Sequence, residues 1–143
     1  MLVVGLGKMT EDEYRTQMSL WCLLAAPLIA SVDLRKISPE NLAILTNSEV
    51  IAVDQEPAAT QGFRVGQEGP LEIWLKPLAD GSKAVGLFNR GDGVAPMTVH
   101  FKDVGVGETA AVRDLWAHKD LGTFKDSYTA DVPHHGVVLV KIK

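Results

Sequence analysis

Residues 21–35 read WCLLAAPLIASVDLR and decide the fold, because they form most of a 17-residue uncharged run over positions 16–32. A membrane span needs about 20 predominantly apolar residues, whereas this run contains four hydroxyl or amide side chains and is interrupted by Pro27. Acidic residues precede it, where a secretory signal carries basic ones. The sequence therefore indicates a segment buried by protein, and we expect no membrane partner.

A helix is predicted immediately before this run. Thr10 and Glu13 have the spacing of a capping box, in which the hydroxyl accepts from a first-turn amide and the carboxylate reaches back to the cap. Pro27 cannot donate a helical hydrogen bond and should end the helix. Side chains at spacings of three and four should form its buried face: Tyr14, Met18, Trp21, Cys22 and Ala25.

The next elements should be a buried strand and two short helices. Residues 28–32, LIASV, are apolar without alternation, which is typical of a strand covered on both faces in a parallel sheet. Ser38 is the predicted cap of a helix that has Pro39 at its first position and reaches Thr46 or Asn47. Ser48 is the predicted cap of the second helix.

After Gln55 the period changes to two. Residues 56–70 have the Gly- and Pro-rich composition of a linker, and six strand-like segments follow, with turn signals about every ten residues. This spacing predicts an antiparallel β-sandwich. Val137 to Val140 are apolar on both faces, so the last strand should lie centrally. The predicted strands are 71–78, paired with 83–90 as a hairpin, then 97–101, 109–116, an interrupted segment at 122–132, and 136–143.

The first half poses an energetic problem, because a β/α series with one full strand cannot cover both faces of that strand. About 500 Å² of exposed apolar surface would cost about 12 kcal/mol, which is comparable to the whole free energy of unfolding of a typical domain. We therefore expect this half to need partners that the chain does not contain.

Several stretches, in this order, resemble the α-galactosidases of glycoside hydrolase family 27. Residues 1–57 resemble the end of the catalytic barrel, and EIWLKPLADGSKAVGLFNRG, VRDLW and HHGVVLVKIK resemble the C-terminal domain of these enzymes. The resemblance implies an α+β chain, with the last β/α elements of a (β/α)8 barrel in residues 1–58 and an antiparallel Greek-key β-sandwich in residues 59–143. WCLLAAPLIASVDLR would then be an outer barrel helix followed by the eighth strand.

The same resemblance implies that this chain does not contain the catalytic residues. Retaining glycosidases use two carboxylates about 5–5.5 Å apart, and the family carries both aspartates on earlier barrel strands, so no catalytic residue is expected here. Met1 matches a residue that borders the sugar pocket and is the only expected substrate-binding residue. The resemblance implies an α-galactoside substrate for the intact enzyme and no cofactor, and we expect the chain alone to be inactive.

Three acidic residues invite a catalytic interpretation. Asp33 follows a predicted parallel strand, where barrel enzymes gather catalytic groups, but Arg35 and Lys36 lie beside it and favour ion pairing or loop capping. Asp54 and Glu56 could form a carboxylate pair, although solvated charges are the usual state of such residues.

The remaining candidates also have two interpretations. The four histidines, His100, His118, His134 and His135, could suggest a metal site, but zinc normally takes four nitrogen or sulfur ligands, and we expect no metal. Trp74 and Trp116 could stack on sugar rings or pack internally. Cys22 is expected to be a buried apolar residue. A net charge of −4 without a basic cluster argues against a nucleic-acid partner.

Three functional hypotheses therefore remain. The first is the inactive C-terminal part of an α-galactosidase, and the second is a sugar-binding or structural module. The third is a subunit that completes a barrel by association with another chain or with itself. The uncovered first half favours a homo-oligomer or a swapped assembly.

Overall fold

The computed structural model describes residues 1–143 and contains a mostly antiparallel β-sandwich preceded by three helices. A 3-10 turn, Phe101–Val104, connects two of the strands. The helices are α1 (Glu11–Leu23), α2 (Pro39–Leu45) and α3 (Ser48–Asp54), and the strands are β1 (Phe63–Glu68), β2 (Leu71–Pro77), β3 (Lys83–Asn89), β4 (Ala95–His100), β5 (Thr109–Asp114), β6 (Lys119–Lys125), β7 (Ser127–Val132) and β8 (Val137–Ile142).

The helix starts follow from local hydrogen bonds. The capping box of α1 is confirmed, since Glu13 N donates to Thr10 Oγ1 over 3.2 Å and Thr10 N donates to Glu13 Oε2 over 2.7 Å. Ser38 caps α2 as predicted. The predicted cap Ser48 is wrong, because Asn47 Oδ1 accepts from the first-turn amides of α3 and Ser48 is the first helical residue.

The strand predicted at residues 28–32 is reduced to one parallel bridge between Leu2 and Ala30. Leu2 N donates to Ile29 O over 2.8 Å, and Ser31 N donates to Leu2 O over 3.1 Å. A full strand requires a longer ladder with a neighbour. The bridge therefore marks where two short parallel segments lie side by side, in agreement with the orientation that the sequence indicated.

Six strands form the large sheet, in the order β1-β2-β3-β8-β5-β6, and β4 pairs with β7 in a second sheet. β8 returns beside β5 after β6 and β7, which is the order of a Greek key. The central position predicted for β8 is confirmed. The interrupted segment at 122–132 is two strands that turn at Asp126, which has a φ of 63°. β1 lies in the predicted linker and was missed, since its alternating residues are mostly exposed.

The large sheet is the middle of three layers. Alternate residues of its strands enter two apolar clusters. One cluster packs Ala84, Phe88 and Leu139 against the helices, and the other packs Val85 and Val140, with other residues, against β4 and β7. The strand β3 is consequently buried along nearly its whole length.

The sandwich covers part of the apolar surface of the first half, because Tyr14, Met18 and Cys22 of α1 lie in the cluster shared with the sheet. Other apolar side chains of the first half are exposed: Met1, Leu6, Met9, Ile29, Leu34 and Leu42. These six residues are called the exposed apolar set below. No helix has the length and hydropathy needed to cross a membrane.

Candidate functional site

The parallel bridge between Leu2 and Ala30 builds one edge of the first half, and residues 1–5 and 31–35 at this edge are called the rim. The Ser31 hydroxyl donates to Leu2 O over 2.7 Å and reinforces the bridge. Met1, the expected substrate-binding residue, is 70% exposed at the start of the rim. Its side chain is therefore available to a ligand or to another protein segment.

Gly5 packs closely against the other segment of the rim, residues 31–35. It has a φ of +83°, and a Cβ atom at this position would lie 3.3 Å from Val32 Cγ2. A side chain here would be strained both by the backbone conformation and by the approach of Val32. The close contact holds the two segments of the rim together.

Asp33 is the acidic residue of the rim, and it is fully engaged by Arg35. The Asp33 carboxylate accepts from Arg35 N over 3.0 Å, from Nε over 2.9 Å and from Nη2 over 2.9 Å. These bonds hold the pKa of Asp33 below its ordinary value. The interpretation of Asp33 as an ion-paired loop residue is confirmed, and the structure gives it no partner suited to acid-base chemistry.

A buried charged cluster lies at the junction between the helices and the large sheet. Lys76 of β2 is 0% exposed and donates to Cys22 O over 3.2 Å and to Val53 O over 2.6 Å. Burial lowers its pKa, and the carboxylates of Asp54 and Glu56 oppose this effect. Sequence reasoning missed this group because a lysine in an alternating strand is usually solvated.

The interpretation of Glu56 as a solvated charge is wrong. Glu56 is 8% exposed, because the segment after α3 folds against the turn between β2 and β3. Its carboxylate accepts from Ala58 N over 3.0 Å and from Ala79 N over 2.7 Å. Asp54 accepts from Gln55 Nε2, and its Oδ1 atom is buried without a partner. Both residues serve the junction, and neither contacts the rim through these bonds.

The histidines are dispersed. His118 Nδ1 lies 2.9 Å from Glu49 Oε1, and His135 Nδ1 lies 3.1 Å from Glu13 Oε1. His134 packs near His135, with ring centroids 5.2 Å apart, whereas His100 ends β4. No three His, Cys, Asp or Glu side chains are grouped to hold a metal ion. Two of these residues instead connect the sandwich to the first turns of α3 and α1.

Trp74 and Trp116 both take part in internal packing. Trp74 Nε1 donates to Glu72 Oε2 over 3.0 Å, and Trp116 Nε1 donates to Ser19 Oγ of α1 over 2.9 Å. Both rings pack against the cluster shared by the helices and the sheet. This arrangement supports the packing interpretation over a sugar-stacking platform.

Cys22 is fully buried, as expected from the sequence. Burial raises the pKa of its thiol to about 12. Because the thiolate is the nucleophilic form, Cys22 has no role as a reactive group in the folded chain.

An ion-pair network connects α3 to β5. Arg113 donates to both carboxylate oxygens of Glu49, over 2.9 and 2.8 Å, and to Asp120 over 3.0 Å. The hydrogen bonds from Arg113 are the main cause that lowers the pKa of Glu49 to about 2. These contacts, like those of Lys76, fix the helices on the sandwich.

Comparisons with known proteins agree with this arrangement. Residues 68–142 match the family described as "Alpha galactosidase C-terminal beta sandwich domain", and residues 1–56 match the family described as "Alpha galactosidase A". The two matches correspond to the strand-rich and helical parts of the chain.

Individual relatives give the same result. The chain is 43% identical to an alpha-galactosidase of Coffea arabica over 94% of its own length and 36% of the relative, and 41% identical to a probable alpha-galactosidase of Dictyostelium discoideum over 99% and 38%. It superimposes on alpha-galactosidase I from Mortierella vinacea with a TM-score of 0.96 and 37% identity, over 99% of this chain and 38% of that structure. The chain thus spans a little over a third of these proteins.

Proposed function

Because the chain belongs to the α-galactosidase family, glycoside hydrolase family 27, we propose that it supplies the last barrel elements and the bracing sandwich of a retaining glycosidase for terminal α-galactosides. Residues 1–58 would belong to the barrel and residues 59–143 to the sandwich. The observation that carries the proposal is the parallel bridge between Leu2 and Ala30, since parallel strands side by side are the basic unit of such a barrel.

In this proposal the rim forms part of the wall of the sugar pocket, at the edge where barrel enzymes place their active sites. Met1 contacts the substrate with an apolar side chain and does not take part in bond cleavage. Asp33 keeps its ion pair with Arg35 and shapes the loop. No residue of this chain acts as nucleophile or as acid/base, so the reaction needs carboxylates from barrel strands outside the present sequence.

The role of the sandwich is to hold the two last barrel helices in place. Lys76, Trp116 and Arg113 support this role, because each contacts α1 or α3 from the sandwich side. Glu56, in the segment after α3, accepts from Ala79 N of the sandwich. The internal positions of Trp74 and Trp116 favour a structural module over sugar binding through these two rings.

The activity is tested with the purified 143-residue chain and p-nitrophenyl α-galactopyranoside. We expect no release of nitrophenol above the buffer rate, because a retaining mechanism requires two suitably placed carboxylates. Sustained turnover that purifies with the chain and is abolished by Asp33→Asn would overturn the proposal. The proposal is supported if the chain releases nitrophenol no faster than an unrelated protein purified in parallel.

We also propose that the chain associates with itself or with a barrel-bearing polypeptide through the exposed apolar set. Exposed apolar surface of this kind favours association, with a gain of about 25 cal/mol for each Å² buried. Native mass spectrometry should give a dimer or higher oligomer. Replacement of Ile29 and Leu34 by serine should shift it to monomer, and a wild-type monomer at micromolar concentration would contradict this part of the proposal.

A further inference from the structure

A cleft of about 380 Å³ lies between α1 and the two loops that follow β3 and precede β8. This volume is in the range of small-molecule sites. The cleft is separate from the junction and from Asp33 of the rim. We call it the α1 cleft. It is lined by Glu13, Gln17, Leu20 and Trp21 from the helix and by Arg90 and His135 from the sandwich, among others.

Trp21 differs from the other two tryptophans of the chain. Trp74 and Trp116 each donate their indole N–H to a protein oxygen. The Trp21 ring packs against the same apolar cluster, but its indole N–H has no protein acceptor and its partly exposed ring lines the α1 cleft. An aromatic ring with a free donor in a concave site is suited to a ligand that has both an apolar face and hydroxyl groups.

The polar groups around Trp21 keep unused hydrogen-bonding capacity. Gln17 Oε1 accepts from Val3 N over 3.0 Å, which leaves its amide N–H groups free. Arg90 is largely exposed and uses Nη1 to bond Glu72 Oε1 over 3.1 Å, so most of its five N–H donors remain available. Glu13 adds carboxylate acceptors beside His135. Donors and acceptors thus surround the apolar surfaces of Leu20 and Trp21.

The charges of the α1 cleft disfavour an anionic ligand. Arg90 is paired with the carboxylate of Glu72, and His135 lies between Glu13 and Asp92, with Nε2 3.4 Å from Asp92 Oδ1. Arg64 also shares the Glu72 carboxylate, so the carboxylates of Glu72, Glu13 and Asp92 together outnumber the two guanidinium groups and disfavour a phosphate or carboxylate ligand. A neutral ligand with many hydroxyl groups fits both the charge and the mixed apolar and polar lining.

We propose that the α1 cleft binds one pyranose ring of a neutral sugar, with an apolar sugar face on Trp21 and hydroxyl groups bonded by Trp21 Nε1, Gln17 and Arg90. The site needs no catalytic residue and is independent of the hydrolytic function proposed above.

Nuclear magnetic resonance of the intact chain tests the site through its three indole N–H signals, each assigned by the signal that disappears in a Trp→Phe variant. Methyl α-D-galactopyranoside is titrated to about 50 mM, with mannitol as the acyclic comparison. We expect the Trp21 signal to shift and saturate with the galactoside alone. The signals of Trp74 and Trp116 should remain in place.

Two matched variants locate the contact. Arg90→Gln should weaken binding roughly three- to ten-fold through loss of charged hydrogen bonds. Arg64→Gln is the control, because Arg64 also pairs with Glu72, over 3.5 Å, but does not line the α1 cleft. Trp21→Phe retains the ring and should weaken binding by a similar factor. Backbone spectra establish that each variant is folded.

The proposal is overturned by an unshifted Trp21 signal at the highest sugar concentration or by equal shifts with mannitol. Equal affinities of the Arg90→Gln and Arg64→Gln variants would also overturn it. Should Trp21→Phe not fold, the pair of arginine variants still decides. Loss of sugar binding would leave the proposed hydrolytic role unaffected, since that role depends on the rim.

Discussion

The Nζ atom of Lys76 lies 2.6 Å from the carbonyl oxygen of Val53, so a lysine of the sheet caps the end of α3. The same ammonium group donates to Cys22 O in the last turn of α1. Carbonyl groups at helix C-termini carry partial negative charge and lack helical donors. One buried cation therefore fixes the ends of two helices on β2, and this contact sets how the helices meet the sandwich.

Replacement of Lys76 by methionine should destabilise the chain by roughly 1–3 kcal/mol, because Val53 O loses its side-chain donor and Cys22 O keeps only the 3.3 Å bond from Ala25 N. The apolar methionine fills a similar volume, so the loss reports the hydrogen bonds more than a cavity. Urea unfolding followed by circular dichroism measures the change in the free energy of unfolding.

Lys119→Met is the matched control, because Lys119 is exposed on the edge strand β6. A surface change of this kind is expected to stay within about 0.5 kcal/mol. If Lys76→Met were as stable as the control, the buried lysine would not be a net stabiliser of the junction.

The sequence predicts each strand that has a regular alternation, but it does not show which elements pack on the two faces of that strand. In β2 the apolar residues Leu71, Ile73 and Leu75 alternate with Glu72, Trp74 and Lys76, and this pattern identifies the strand. Only the structure shows that the helices bury the polar side as well, so that Glu72 and Lys76 are buried. The burial of these two residues results from tertiary packing, and the local periodicity of the strand does not indicate it.

The errors at the rim and in α3 have local causes. The parallel strand at residues 28–32 needs a partner along its length, and Leu2 is its single bridging residue. Asn47 caps α3 because its amide oxygen reaches two backbone N–H groups, whereas both Asn47 and Ser48 are acceptable caps by composition. β1 was missed because its side chains are largely exposed and carry little apolar signal.

Gly62 should not tolerate alanine. A Cβ atom there would lie 2.6 Å from Leu23 O, and Gly62 N donates to the same oxygen over 2.7 Å. The contact docks the connection before β1 on the end of α1. Because the obstacle is backbone, Gly62→Ala should lower the free energy of unfolding by roughly 1–3 kcal/mol, measured by urea denaturation.

Gly107→Ala is the control for this change, since nothing lies within 4 Å of a Cβ atom at that position. It should leave the chain as stable or raise its stability slightly, because alanine reduces the entropy of the unfolded chain. Equal losses in the two variants would mean that the approach of Gly62 to Leu23 is not tight in solution.

The pair formed by Glu49 and Arg113 should make stability depend on acidic pH. Hydrogen bonds from Arg113 lower the folded-state pKa of Glu49 from 4.5 to about 2. The stabilisation is therefore fully present above the unfolded-state pKa and is lost as pH falls from about 4.5 towards about 2. Unfolding midpoints of wild type and Glu49→Gln should converge over this range.

Glu68→Gln serves as the comparison, because Glu68 is exposed and belongs to no ion pair. This variant should keep the pH dependence of the wild type. If the unfolding midpoints of wild type and Glu49→Gln differed by the same amount at about pH 5 and at about pH 2, the pair with Arg113 would make no contribution to stability.

Cys22 provides a chemical measure of how often the junction opens. Its thiol is fully buried and has a pKa of about 12, so a thiol reagent at about pH 8 should not react with the folded chain and should react once urea unfolds it. Where opening limits the reaction through its equilibrium, the loss of roughly 1–3 kcal/mol expected for Lys76→Met should raise the labelling rate by roughly five-fold to 160-fold. The Lys119→Met control should be labelled at the wild-type rate. Rapid labelling of the wild type in native buffer would show instead that the ends of α1 and α3 separate readily from β2.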